Sequence, residues 1–315
     1  MANVTILKPN TRDEWLDLRK TGIGSSEVAT IVGLNPFESP YQLWRRKRGL
    51  DAPKVENDAM MAGHVLEPAV AQWWQQHTGN EVIKSSAGDW IMRDNARPYL
   101  QVSPDRTYWL GKSRNQRDKG ILEIKTTRKV ITPDALPMHW FCQLTYQLGV
   151  AGYHEGSLAW LSSSNGFDFG TCKVEFNADT YNWLIDEIER FWLDNVIGGK
   201  EPDPIDVADV LLKHPTHTAG LLAQCDEPTM EIYHELRDIR DEIAERNKRK
   251  EELEGKIKMA ISGAEGLAYG DVMLATWKAP SPAMKFNEKA FIAEHPDLAK
   301  QYFTEVQGSR RFMLK

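Results

Sequence analysis

Cysteine is scarce. The chain of 315 residues has only Cys142, Cys172 and Cys225, far apart and odd in number. They supply no disulfide framework and no CxxC metal pair, and a reducing cytoplasm is the expected compartment. Long apolar runs are missing too. None approaches the roughly 20 residues that cross a bilayer, and the start, "MANVTILKPNTRDEW", lacks the basic-then-apolar layout of a secretion signal. No membrane partner is expected. A basic excess is also absent, the net charge being -6. That argues against a protein that coats nucleic acid non-specifically, yet leaves room for a local basic groove. There is no internal repeat and no low-complexity tract.

What is present suits a globular protein, with 41% apolar residues in a chain long enough for one large domain or two smaller ones. The eleven tryptophans read as large core and interface residues. Four helices come first. "TRDEWLDLRK" has Thr11 as cap and Glu14 in capping-box position. "SSEVATIVG" is stopped by Gly33, and "SPYQLWRRKRG" has Ser39 as cap and Pro40 at its first helical position. "LEPAVAQWWQQHTG" ends at Gly79. Strands follow: "EVIKSSAGDWIMRD", "YLQVSPDRTYWLG" and "ILEIKTT", the last two joined by the polar hairpin loop "KSRNQRDKG". A helix beginning near Pro137, two more strands and a long amphipathic helix complete the first part of the chain. The fold class is α/β with a mixed sheet flanked by helices. The expected division is a core over 1–199, a proline-rich connector over 200–227, and a helical arm with a small strand pair over 228–315. Within 228–262, Ile232, Leu236, Ile239 and Ile243 alternate spacings of four and three, as do Leu253 and Ile257, with Arg246 and Lys250 between. This stripe suits a partner contact or a helix packed by one face.

One stretch carries chemistry. Glu123 and Lys125 share a face of an apolar strand, since strand side chains alternate with a period of two. Asp105, after Pro104, precedes the hairpin loop, so an antiparallel pairing brings it beside Glu123. Opposed strand positions lie about 4.5–5.5 Å apart. Two carboxylates that close repel unless a cation or proton intervenes, and oxygen-rich sites suit Mg²⁺ or Mn²⁺. A neighbouring lysine can stabilise an attacking hydroxide or a phosphoryl transition state. Together these parts suit metal-assisted phosphodiester hydrolysis. Glu67, on the helix before the sheet, offers a third carboxylate. Gln143, on an otherwise apolar helix face, needs a hydrogen-bonding partner if buried. The alternative for Glu123 and Lys125 is a surface salt bridge worth roughly 0–1 kcal/mol.

"RKTGIGSSEVATIVGLNPFESPYQLW", "GHVLEPAVAQWW", "SPD" before "ILEIKTT", and "WFCQLTYQLG" occur in this order over roughly residues 12–150. The combination resembles the YqaJ-like viral recombinases, close to phage lambda exonuclease, in the PD-(D/E)xK nuclease superfamily. The resemblance implies a restriction-endonuclease-like core with a triad of Asp105, Glu123 and Lys125, assisted by Gln143. It implies that Asp105, Glu123 and the Ile124 carbonyl bind Mg²⁺ (Mn²⁺ may substitute), with Glu67 as an additional ligand or water-holding group. It also implies capture of a 5′-terminal phosphate by Arg19, Ser26 and Ser103, with Arg128 or Lys129 as a further basic group. Arginine suits phosphate through paired donors. Ser26 could equally be a plain helix cap. "WRRKRG" reads as a solvated helix end or a contact to duplex phosphates; His64 and His77 read as structural. The implied activity is 5′→3′ digestion of one strand of linear double-stranded DNA, leaving a 3′ overhang for a single-strand annealing protein. A homotrimer and a bacterial host cytoplasm, as for a phage or prophage protein, are implied as well. The competing expectations are a catalytically idle DNA-end-binding module and an endonuclease of the same superfamily.

Overall fold

The computed structural model describes residues 3–51, 57–83, 90–111, 114, 118–164, 166–305, 308 and 310–315. Most of the expected hairpin loop "KSRNQRDKG" and part of "EVIKSSAGDWIMRD" lie outside the described residues. After a strand β1 (Val4–Leu7), helix α1 (Arg12–Lys20) starts where Thr11 accepts the Glu14 N–H through its hydroxyl (3.1 Å). The Glu14 carboxylate reaches back to the Asn10 N–H (2.6 Å), one residue earlier than a standard capping box places it. The expected helix over "SSEVATIVG" is only a 3₁₀ turn, Ser25–Glu27, running into the short α2 (Val28–Ile31). The buried Glu27 carboxylate takes the Gly24 N–H (2.8 Å) and pins that turn. Helix α3 (Pro40–Lys47) has the expected Ser39 cap, bonded to the Gln42 N–H at 3.0 Å.

Helix α4 (Asp58–Thr78) begins well before the expected Leu66, because Asn57 supplies a cap to the Met60 N–H (3.0 Å); Gly79 ends it in the left-handed region, φ 72°. Then come β2 (Val82–Ile83), β3 (Ile91–Asp94), β4 (Gln101–Val102), β5 (Arg106–Trp109) and β6 (Lys119–Thr127). "YLQVSPDRTYWLG" therefore holds two strands with a turn between them. They lie in different sheets: β1, β3 and β4 form an antiparallel trio, and β5 joins the central sheet. Pro104 lacks an N–H and interrupts a ladder, so the chain changes sheets at Ser103–Asp105.

The central sheet has the order β2–β5–β6–β7–β8, with β7 (Glu155–Ser162) and β8 (Asp168–Glu175). Only β6 and β7 run parallel, joined by helix α5 (Met138–Ala151). A parallel pair needs such a crossover. The result is the expected mixed sheet between helical layers. Leu122 and Ile124 of β6, with Ala159 and Leu161 of β7, meet Val70, Ala71 and Trp74 of α4. The opposite parity, Ile121, Leu158 and Trp160, packs in a second core with Leu144 and Leu148 of α5. Helix α6 (Ala178–Arg190) continues as a π-helical stretch, Phe191–Ile197.

The chain divides into two compact units, Met1–Lys213 and His214–Lys315. The first includes α7 (Val207–Lys213), whose buried Asp209 accepts from the Ser39 hydroxyl (2.7 Å) and Gln42 Nε2 (3.1 Å). The first stretch beyond residue 200 thus packs within that unit. The second unit holds α8 (Glu227–Ile261), the strand pair β9 (Gly266–Tyr269) and β10 (Val272–Thr276), and two short helices, α9 (Glu288–Glu294) and α10 (Pro296–Lys300). Among the described residues no helix is long and apolar enough to cross a membrane.

Candidate active site

Register brings the site together. In the β5–β6 pair Arg106 stands opposite Leu122, and Thr107 opposite Ile121. One step back from Arg106, Asp105 comes level with Glu123. Asp105 Oδ2 accepts the Ile124 N–H at 2.7 Å, so the aspartate is tied to the strand that carries Glu123 and Lys125. The parity of β6 then decides what these two side chains meet. They leave the sheet on the same side as Ile121, the side covered by α5.

Helix α5 answers them with two glutamines one turn apart, a spacing that puts both on one face. Lys125 Nζ donates to Glu123 Oε1 (2.6 Å) and to Gln143 Oε1 (2.9 Å). Gln143 Nε2 donates to the same Glu123 oxygen at 2.5 Å. Gln147 Nε2 donates to Glu123 Oε2 (2.8 Å) and to the Ser25 hydroxyl (3.1 Å). Glu123 is 1% exposed, and a buried carboxylate requires this kind of enclosure by donors. Gln147 was not singled out from the sequence. Its signal is there: a second glutamine at i+4 from Gln143 on an apolar helix.

Burial is the strongest influence on Asp105. With the negative charge of Glu123 and, more weakly, Glu67, it raises the carboxyl well above the ordinary range against the pull of Lys125 and the Ile124 N–H. For Lys125, burial opposes the charge, but Glu123 and Asp105 outweigh it, and its pKa is raised. The centre therefore favours the ammonium form of Lys125 and disfavours a second ionised carboxylate beside Glu123 unless a further cation intervenes.

Asp105, Glu123, Lys125 and Gln143 open onto one cavity of about 880 Å³. Glu67 of α4 lines it and is ion-paired with Arg106 Nη1; Arg106 Nη1 also donates to the Asp105 carbonyl at 2.6 Å. Arg106 had no assigned role in the sequence reading. At another side of the same cavity, Arg19 Nη2 donates to the Ser26 hydroxyl (3.0 Å). The Arg12 and Arg19 guanidinium groups lie 4.2 and 4.6 Å from the Trp15 ring centre. Ser26 lies inside the 3₁₀ turn, whose cap position is Gly24, and is no helix cap. Ser103 also lines the cavity, with its hydroxyl donated to the Trp90 carbonyl (3.0 Å). His64 lies in the lining too. Arg128 and Lys129 are exposed beyond β6 and outside that lining.

The cations of "WRRKRG" form neither a solvated end nor an open phosphate-binding row. Arg45 is bonded to Asp51, Arg46 to Glu27 and Glu38, and Lys47 to Glu27 (2.7 Å) and the Arg19 and Gly22 carbonyls. Arg48 donates to the Val196 carbonyl. Burial of Glu27 demands counter-charges, and this helix end provides them.

Among the described residues no group of three or more His, Cys, Asp and Glu side chains is close enough to hold a metal by itself. The donor chemistry nevertheless fits a hard divalent cation. Mg²⁺ is commonly bound by one or two carboxylates and keeps several waters, and Asp105 and Glu123 face one cavity, where a cation would let both carboxylates ionise together. Glu67 reaches that cavity with its carboxylate engaged by Arg106.

Residues 14–154 match the YqaJ-like viral recombinase domain. The chain is 28% identical over 316 residues to the uncharacterized protein YqaJ of Bacillus subtilis (strain 168), with 97% of this chain and 94% of that protein covered. Among solved structures, an alkaline exonuclease from Laribacter hongkongensis is similar at a TM-score of 0.47 and 17% identity, covering 59% of this chain and 93% of that one. A phage-related exonuclease from Haemophilus somnus 129PT is similar at a TM-score of 0.40 and 10% identity, covering 56% and 96%.

Proposed function

From the match of residues 14–154 to the YqaJ-like viral recombinase domain, we propose that the protein is a metal-dependent 5′→3′ exonuclease acting on linear double-stranded DNA. It would leave 3′ single-stranded overhangs for strand annealing. The observation that carries this reading is the convergence of Asp105, Glu123, Lys125 and Gln143 on a cavity that also presents Arg19 and Ser26. Asp105, Glu123 and the Ile124 carbonyl would hold Mg²⁺ or Mn²⁺, with Glu67 beside them. Bound there, the ion supplies Lewis-acid activation of water and offsets charge on the scissile phosphate. Lys125 positions the attacking water and stabilises the phosphoryl charge as it builds. Gln143 holds the lysine and the glutamate in one geometry. Arg19, with Ser26, receives the 5′-terminal phosphate through paired donors. Ser103 lines the same space, whereas Arg128 lies outside the cavity lining and is given no part in this reading. Assembly as a homotrimer around duplex DNA, and delivery of the overhang to an annealing protein in a bacterial cytoplasm, belong to the same proposal.

The test uses linear duplex with and without a 5′-phosphate, and a closed circular duplex, each with Mg²⁺ or EDTA. Release of nucleotides from the phosphorylated linear duplex, dependent on Mg²⁺ and absent with EDTA, is expected. Cleavage of the circle would replace the exonuclease by an endonuclease. End binding without release in any arm would leave a catalytically idle module.

A further inference from the structure

The second unit carries a surface that the site chemistry leaves unexplained. Along α8, positions 232, 236, 239, 243, 246, 250, 253, 257 and 260 follow one another at alternating spacings of four and three. That is a seam of four heptads, the length at which a coiled-coil pattern becomes meaningful. Ile232, Ile239, Ile243, Leu253 and Ile257 on this seam are between 42% and 63% exposed. An apolar stripe of this length on water marks an interaction surface. Leu236 and Tyr233 are half-covered by the chain end: the Tyr233 hydroxyl donates to the Lys315 carbonyl (2.9 Å), and Arg311 and Phe312 lie by Leu236 and Arg240. The tail occupies that edge of the helix. Glu235, Glu242, Arg249 and Lys256, along the other edge, are exposed.

Charge says what covers the stripe. The N-terminal part of α8, 227–245, has seven acidic residues against two basic ones. The remainder, 246–261, has six basic against three acidic. We propose that α8 pairs antiparallel with α8 of a second copy of this chain. In the register that centres the seam, Ile232 meets Ile257 of the partner subunit, and Leu236 meets Leu253 of the partner subunit. The flanking edge then sets Glu235 against Lys256 of the partner subunit, and Glu242 against Arg249 of the partner subunit. Two-fold symmetry repeats each pair, as an isologous interface must. The cations inside the seam explain why the helices do not run parallel. Parallel pairing would set Arg246 on Arg246 of the partner subunit and Lys250 on Lys250 of the partner subunit. Antiparallel pairing sets them on Ile243 and Ile239 of the partner subunit, where their stems cover apolar surface and their heads reach the acidic half. Within one copy these cations have only long, exposed pairs, Arg246 with Glu242 at 3.8 Å and Lys250 with Glu254 at 3.6 Å, which contribute little.

The test is the mass of the full-length protein in solution by light scattering, with two charge-reversed variants. Wild type should assemble in even numbers of chains, six where two of the proposed rings of three are joined through α8. E235K/E242K should lose this association, and so should R249E/K256E, each with unchanged helical content by circular dichroism. Mixed in equal amounts, the two variants should recover the wild-type mass, because every flanking pair is again opposite in sign. A parallel pair would not recover on mixing. A wild-type protein that is monomeric at all concentrations, strictly trimeric, or indifferent to these reversals would overturn the proposal, as would variants that fail to combine.

Discussion

Lys125 is held between Glu123 and Gln143, and this double anchorage separates its role from that of a surface salt bridge. Lys125→Ala should abolish cleavage while leaving DNA-end binding nearly intact, measured as nucleotide release and end-labelled duplex retention. Lost binding with retained turnover would contradict the assignment. At Arg19, Arg19→Ala should weaken the preference for 5′-phosphorylated over unphosphorylated ends; an unchanged ratio of rates would remove it from the phosphate site. Glu27 makes a prediction about stability instead. Burial opposes its charge, but Lys47, Arg19 and Arg46 bring its pKa down to about 2. A carboxyl whose folded pKa is depressed contributes stability above its unfolded pKa of about 4.3 and loses it as pH falls through the folded value. Burial pulls Lys47 below its own ordinary range, which offsets part of the gain, but lysine does not titrate in this window. Denaturation midpoints should therefore fall between pH 4.5 and pH 2, by roughly 3 kcal/mol at most. A Glu27→Gln variant, less stable at neutral pH, should show a flatter acid limb; an equally steep limb would place the loss elsewhere.

At the scale of elements, the sheet and the two helices clamped on it decide where the chemistry stands. Strand β6 was readable because its apolar run carries one charged face, and α5 because Pro137 and Gly152 bracket an apolar helix. The early start of α4 was not, because the Asn57 cap precedes "DAMMAGHV", which has no strong apolar period. The split of "YLQVSPDRTYWLG" between two sheets was hidden for a related reason. Period-two patterning says that residues are extended, and says nothing of which neighbour they pair with. The nearness of Asp105 to Glu123 was legible because a hairpin fixes register locally. The pairing of Glu67 with Arg106, and that of Glu27 with Lys47, join elements far apart in sequence, and no local signal announces them. Helix α4, which carries Glu67, is pinned by Trp74. That side chain is 1% exposed, lies 4.7 Å from the Tyr108 ring, centre to centre, at a tilt of 57°, and donates to the Thr171 hydroxyl at 3.0 Å. Trp74→Ala should destabilise the first unit by about 3–5 kcal/mol, read from chemical denaturation. A loss below about 1 kcal/mol would mean that α4 is held by other contacts.

For the whole molecule, the division into two units puts the candidate site and the heptad stripe in different units. Every residue of the candidate site, and both hydrophobic cores around it, fall within Met1–Lys213. Residues 214–230 are almost entirely exposed, the kind of segment at which proteases cut and domains part. The heptad stripe, by contrast, belongs wholly to His214–Lys315. A unit with its own core and its own complete site should not need the rest of the chain for hydrolysis. A chain ending at Lys213 should therefore fold, judged by a cooperative denaturation curve, and release nucleotides from linear duplex with Mg²⁺. It should also lose the even-numbered assembly attributed to α8. With an overall charge of -6, DNA binding that rests on the few cations of the cavity should weaken only modestly with added salt. The full chain and the shortened one should then show the same shallow salt dependence of end binding. A shortened chain that folds but neither binds nor cuts would show that the second unit takes part in DNA engagement, and a steeper slope in the full chain would locate the missing phosphate contacts there.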